Sequence, residues 1–147
     1  MEKYKVYVAG EKETKEITKE EIVEELRRTF WDIGGFCLRI CEKVPEFVVL
    51  TYGRRPSLRY EYTLNEWVYT DAELELIAKK RVYDYPTTDD TSYKYRVKNA
   101  SFIIKVRLYG HDYEGEFVYS DRLVEIYGNC PFLSKLEELH KELEIET

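Results

Sequence analysis

The chain has 147 residues, 44% apolar and 35% charged, with a net charge of −6. That length suits one domain that closes a hydrophobic core without metal or disulfide staples, and no apolar run approaches the ~18 residues of a spanning helix. The charge runs −2 over residues 1–47, +3 over 48–110 and −7 over 111–147, which excludes a wholly basic nucleic-acid coat but leaves room for a basic patch in the middle third.

Residues 3–8 alternate lysine with tyrosine and valine at their first positions, the two-residue period of a strand with one buried face. A charged linker over 10–16 leads to Thr18-Lys19-Glu20-Glu21. There a Thr N-cap and a Glu three residues on form a capping box, and Ile17 can staple onto Ile22. Apolar residues follow at Ile22, Leu26, Phe30, Ile33, Cys37, Ile40 or Cys41, and Val44, spacings of three and four that run across Gly34-Gly35. The pattern predicts a helix kinked at the glycines, or two helices meeting there, ended by Pro45. From 46 to 127, β-branched and aromatic residues punctuated by turn chemistry predict an antiparallel meander. Its strands fall at 46–52, 58–63, 66–70, 73–84, 93–98, 101–109, 115–120 and 122–127, with turns at 53–57, 86–90, 99–100 and 110–115. A second capping box, Ser134 to Glu137, opens a closing helix striped by Leu133, Leu136, Leu139 and Leu143.

The expected fold is therefore α+β over a single domain, 1–147. An antiparallel sheet of about six to eight strands packs against an N-terminal kinked helix and a C-terminal helix. This order of elements resembles the helix-grip arrangement of the START and Bet v 1-like superfamily. The resemblance implies a curved sheet that wraps the last helix and encloses a cavity; a cystatin-like sheet around one helix is the alternative shape.

The candidate site lies in the basic middle third. With Asn99-Ala100 as a two-residue hairpin loop, Val97 falls opposite Phe102, Tyr95 opposite Ile104 and Tyr93 opposite Val106, all on one apolar face. The other face then carries Lys94, Arg96 and Lys98 beside Lys105 and Arg107, with Lys94 directly across from Lys105. Like charges so placed call for an anion, either an acidic element of the same chain or a phosphate backbone. Arg54 and Arg55, in a loop stiffened by Pro56, and Arg59 just beyond it add guanidinium forks that match phosphate or carboxylate groups. Pairing with Glu61 or Glu66 is the plain structural alternative for them.

Nothing in the sequence marks a catalytic residue, a metal site or a cofactor. A zinc site would recruit Cys37, Cys41, Cys130 and His111 or His140, but a Cys-x-x-x-Cys pair in an amphipathic helix reads as two core positions. Those cysteines are expected as buried thiols, with a bridge from Cys37 or Cys41 to Cys130 as the alternative. His111-Asp112 has no adjacent Ser or Cys nucleophile, and the acids Asp71, Glu73, Glu75, Asp84, Asp89 and Asp90 lack the acid-x-Lys spacing of magnesium nucleases.

Fourteen Tyr, three Asn and no Gln in so charged a chain are the bias of proteins that work near boiling. No secretory leader precedes the first strand, which predicts a cytoplasmic protein with no membrane partner. The reading is a non-enzymatic binding or interaction module of a hyperthermophilic archaeon or its virus. It engages an anionic partner, nucleic acid or acidic protein, through the basic-aromatic sheet face, and homo-oligomerisation is left open. The alternatives are a small-molecule carrier with an apolar cavity between sheet and closing helix, and a metal-dependent hydrolase.

Overall fold

Helix α1 (Lys19–Ile33) begins where the capping box places it. The Glu21 N–H donates to Thr18 Oγ1 at 3.3 Å, the Thr18 hydroxyl reaches the Glu21 carboxylate at 3.2 Å, and Ile17 and Ile22 join one core. The computed structural model describes residues 2–33, 37–53, 61–83 and 89–146. Its strands are β1 (Lys3–Val8), β2 (Lys15–Thr18), β3 (Cys37–Cys41), β4 (Phe47–Tyr52), β5 (Glu61–Thr70), β6 (Glu73–Tyr83), β7 (Asp89–Lys98), β8 (Phe102–Tyr113) and β9 (Glu116–Gly128), and helix α2 (Leu133–Glu146) closes the chain.

The α+β class holds, but the strands divide between two sheets. A large sheet of six has the order β2-β1-β5-β8-β9-β3, and a small sheet of three has the order β4-β7-β6. The large sheet is mixed, because β3 runs parallel to β9 while its other neighbours are antiparallel. Alternation along its strands supplies two apolar faces. Tyr4, Val6, Tyr69, Phe102, Ile104, Val106, Val124 and Ile126 meet Ile22 and Leu26 of α1, Leu136 and Leu139 of α2, and Phe132 just ahead of α2. On the reverse face Ala9, Val68 and Ile103 pack with Val48 and Leu50 of β4, joined by Leu74, Tyr95 and Val97 of the small sheet. The large sheet is therefore the middle of three layers.

Between this sheet and α2, the rings of Tyr4, Phe102 and Phe132 meet edge to face with centroids 5.3, 5.7 and 5.8 Å apart. They lie in the layer in which a carrier's cavity was expected.

Several expectations need correction. The N-terminal helix does not run on to Val44: Cys37–Cys41 is strand, with Leu38 facing the helical core and Cys37, Arg39 and Cys41 on the other face. A short apolar run fits either period, and the low helix propensity of Cys and Ile lets pairing with β9 decide. The sheet is not one antiparallel meander. The expected break between 58–63 and 66–70 is absent from 61 onward, where β5 runs unbroken with a register shift between Thr63 and Asn65, while 58–60 lie outside the described residues; 115–120 and 122–127 merge into β9. The charged linker hides β2, which pairs with β1. Ser134 is not a cap, since α2 opens at Leu133 with the Leu136 N–H already bonded to Phe132 O. All three cysteines are free, Cys130 buried by α2 and Cys37 exposed on the far face of the edge strand. Burial pushes the Cys130 thiol up to about 11.

The largest correction concerns Asn99-Ala100. β7 and β8 do not pair with each other: β7 lies between β4 and β6, and β8 between β5 and β9. Two of the chain's changes of layer, from β5 to β6 and from β7 to β8, lie side by side at one end of the molecule. Asp71 Oδ1 binds the two crossings together, accepting from the Ser101 and Phe102 N–H groups at 3.0 and 3.3 Å. Buried Thr70 adds a bond from its hydroxyl to Phe102 O at 2.7 Å. Asn99 takes a left-handed φ of 54°, which a short polar side chain tolerates.

Gly128 ends β9 with a φ of +78°, and a Cβ there would lie 2.3 Å from Ser101 O and 2.7 Å from Val44 Cγ2. Backbone must move to admit even a methyl group. Gly128→Ala is expected to cost about 2 kcal/mol or more, measured as a lowered urea midpoint.

Candidate binding site

The central strand of the small sheet, β7, carries Lys94, Arg96 and Lys98 at alternate positions, so all three project from its outer face, away from the large sheet, and are exposed. Register places Lys94 between Val49 of β4 and Ala78 of β6, Arg96 between Phe47 and Glu75, and Lys98 beside Glu73. Lys80 joins the same face opposite Ser92. Among the described side chains, four cations thus share the face with two carboxylates.

Those carboxylates are already engaged. Glu75 Oε2 accepts from Arg96 Nη1 at 3.3 Å and lies 3.1 Å from Lys98 Nζ, and these two cations, Lys98 foremost, hold its carboxyl below the ordinary range. Glu73 stands 4.0 Å from Lys5. Lys94 has no acid across from it on either neighbouring strand; its ammonium sits 4.5 Å from the centroid of the Phe47 ring. Phe47 and Val49 are each 40% exposed, so the face joins open apolar surface to surplus positive charge.

The remaining residues of the sequence reading do not gather here. Lys105 and Arg107 belong to β8 in the middle layer. Lys105 is 7% exposed and directly across from Glu125, while Arg107 Nε lies 2.9 Å from Glu66 Oε1 without aiming its N–H at it. Arg54, Arg55 and Arg59 lie outside the described residues.

Around Lys105 the large sheet thus holds Glu66, Arg107 and Glu125 in a neutral checkerboard, to which Tyr127 adds a hydroxyl donated to Glu125. Burial lowers the Lys105 ammonium, with Arg107 adding to the effect and Glu66 and Glu125 opposing it. The cluster answers the like-charge problem posed by Lys105 with acids of the same chain, one of the two remedies the sequence allowed.

A second feature was not anticipated. A cleft of about 610 Å³ opens between the turn at 10–14 and the inner face of the small sheet, lined by Tyr7, Leu74, Leu76, Lys79, Tyr93 and Tyr95. The Tyr7 and Tyr95 rings are 6.2 Å apart, and the Lys79 ammonium lies 5.5 Å from the Tyr93 ring centroid. The tyrosine alternation of β7 was visible in the sequence, but assigning it to a hairpin with β8 buried it there. Among the described residues no group of three or more His, Cys, Asp or Glu side chains is placed to hold a metal ion. Among the described residues, no helix is long and apolar enough to cross a membrane.

Set against known protein families, curated proteins and solved structures, the chain has no significant match. The functional reading therefore rests on the geometry of this molecule alone.

Burial lifts the Glu66 carboxyl above its ordinary range, with Arg107 and Lys105 opposing the rise. A proton held more tightly in the folded than in the unfolded chain contributes stability in acid, and that contribution is lost as pH rises through the folded value. Glu66→Gln lacks this titration. Its deficit in stability relative to wild type is expected to be larger at about pH 4 than at about pH 7, read from urea midpoints at both.

Proposed function

We propose that the protein is a non-enzymatic binding module that engages an anionic chain, single-stranded nucleic acid, across the outer face of the small sheet. The observation that carries this reading is the row Lys94, Arg96, Lys98 on a central strand, open to water and flanked by exposed Phe47 and Val49. Positive charge at alternate positions tracks a phosphate backbone, and an aromatic ring beside it offers bases a stacking platform. Of the two anionic partners, nucleic acid is favoured over acidic protein because a base uses the ring as well as the charge.

Lys94 now rests over Phe47, a contact worth about 0.5–1 kcal/mol at an exposed site. A stacked base is worth about 1–3 kcal/mol, so it displaces the ammonium and frees it for a phosphate. The same reading carries an origin in a hyperthermophile, archaeal or viral, and with it the expectation that the protein melts above about 90 °C in a calorimetric scan. A midpoint in the mesophile range would remove that origin and leave the surface chemistry untouched.

Fluorescence anisotropy with labelled single-stranded and duplex DNA and RNA tests the site. Three phosphate contacts give a slope of log K against log salt near about −2, which Lys94→Ala with Arg96→Ala reduces in magnitude by about 1.4. Phe47→Ala is expected to weaken binding by about 1–3 kcal/mol at every salt concentration. Absence of binding at low salt, or binding that these variants leave intact, sinks the proposal.

A carrier role for the inter-sheet cleft is the second reading, favoured by the tyrosines and Leu76 that line it. It predicts saturable uptake of an apolar fluorescent probe that Tyr93→Ala weakens and Lys94→Ala does not.

A further inference from the structure

Strand β6 is the terminal strand of the small sheet, paired with β7 along one side and with no described strand along the other. Every residue from 75 to 81 is exposed, including Leu76 at 51% and Ile77 at 37%, so this stretch presents both its faces and its free backbone edge to water. An edge of this length bearing apolar side chains is a template for another strand unless something guards it. The register shift at Ile77 and the lysines are guards of the usual kind.

The distribution of charge along the strand says which strand would fit. The first half carries Glu73 and Glu75, the second half Lys79, Lys80 and Arg81, with Leu76, Ile77 and Ala78 between them. Laid antiparallel on a second copy of itself, the strand sets the acids of one copy beside the bases of the other at both ends, and its apolar middle against its own apolar middle. A parallel arrangement would set like against like. A pattern complementary to itself under a two-fold rotation is the signature of an isologous contact.

We propose that β6 pairs antiparallel with β6 of a second copy of this chain, joining the two small sheets across a two-fold axis. The hydrogen bonds come from the free edge, the apolar centre from Leu76 and Ile77, and the direction and register from the two charge halves. A strand-edge contact buries less than the ~1,200 Å² of a standard stable interface, so the dimer forms and dissociates with concentration. The outer faces of the two sheets become continuous, and the pairing does not depend on what those faces bind.

The test is sedimentation velocity from low micromolar to sub-millimolar protein, on wild type and two charge-reversed variants. Lys79→Glu with Lys80→Glu weights the strand towards acid, and Glu73→Lys with Glu75→Lys makes it basic throughout. Wild type is expected to show reversible dimerisation. Each variant alone is expected to weaken association by about tenfold or more, and mixing the two to restore a dimer of one copy of each. A wild type that stays monomeric overturns the proposal, as do variants that associate as well as wild type. Hydrogen exchange on the unmodified protein gives a readout that no variant has to fold for: the amides of β6 gain protection as concentration rises. Exchange independent of concentration in a dimerising sample places the contact elsewhere and overturns the assignment to β6.

Discussion

Strand β8 is reached by water from neither side along its first half. Phe102, Ile104 and Val106 face the helices at 1% exposure or less, while Ile103 and Lys105 face the other way at 0% and 7%. A strand so placed needs cover on both faces, and that requirement sets the layer order. The helices close one side, the small sheet is drawn over the other to cover Ile103, and the polar side chains farther along must neutralise one another. The arrangement of Glu66, Lys105, Arg107 and Glu125 follows from that last need. Removing one partner of such a set would leave an uncompensated buried charge, which costs far more than the assembled set gains. A second buried cation obeys the same rule on the helical side: Arg122 is 1% exposed, and burial pulls its guanidinium down to about 10 against the opposing fields of Tyr69, Tyr119 and Glu25.

Local chemistry made much of this legible. The capping box at Thr18 fixes the start of α1, since it needs only residues adjacent in sequence, and the alternating stretches Glu73 to Leu76 of β6 and Tyr93 to Lys98 of β7 declare their faces in the same way. Pairing was not legible. Loop parity at Asn99-Ala100 puts Tyr95 and Val97 on an apolar face whether β7 folds back on β8 or the chain steps into another layer. The continuous run Phe102-Ile103-Ile104 was the available sign of a strand buried on both faces, and the lysine and arginine that follow masked it. The step from helix to strand before Cys37 was hidden because apolar spacings of three and four over a few residues also contain a period of two.

The candidate site divides along the same line. That Lys94, Arg96 and Lys98 share a face follows from alternation within one strand, and the structure keeps them together. That Lys105 and Arg107 stood beside them depended on a pairing between strands, and a buried, paired lysine looks the same in sequence as a solvated one. Phe47 and Val49 entered the face through β4, 49 and 45 residues before their partners Arg96 and Lys94, a distance over which no local pattern speaks.

The binding between the two layer crossings has an architectural consequence. Thr70 of β5 and Ile103 of β8 are direct partners in the large sheet, so β5 and β8 would make an ordinary hairpin if the chain between them were a short turn. What lies between is instead the whole β6–β7 ribbon, an excursion whose two ends Asp71 holds side by side. Such an excursion is a cassette. Its length and surface can be revised by insertion, deletion or exchange while its anchor residues and the sheet beneath keep their register. The exposed surface of the ribbon is free to diverge faster than the scaffold that carries it.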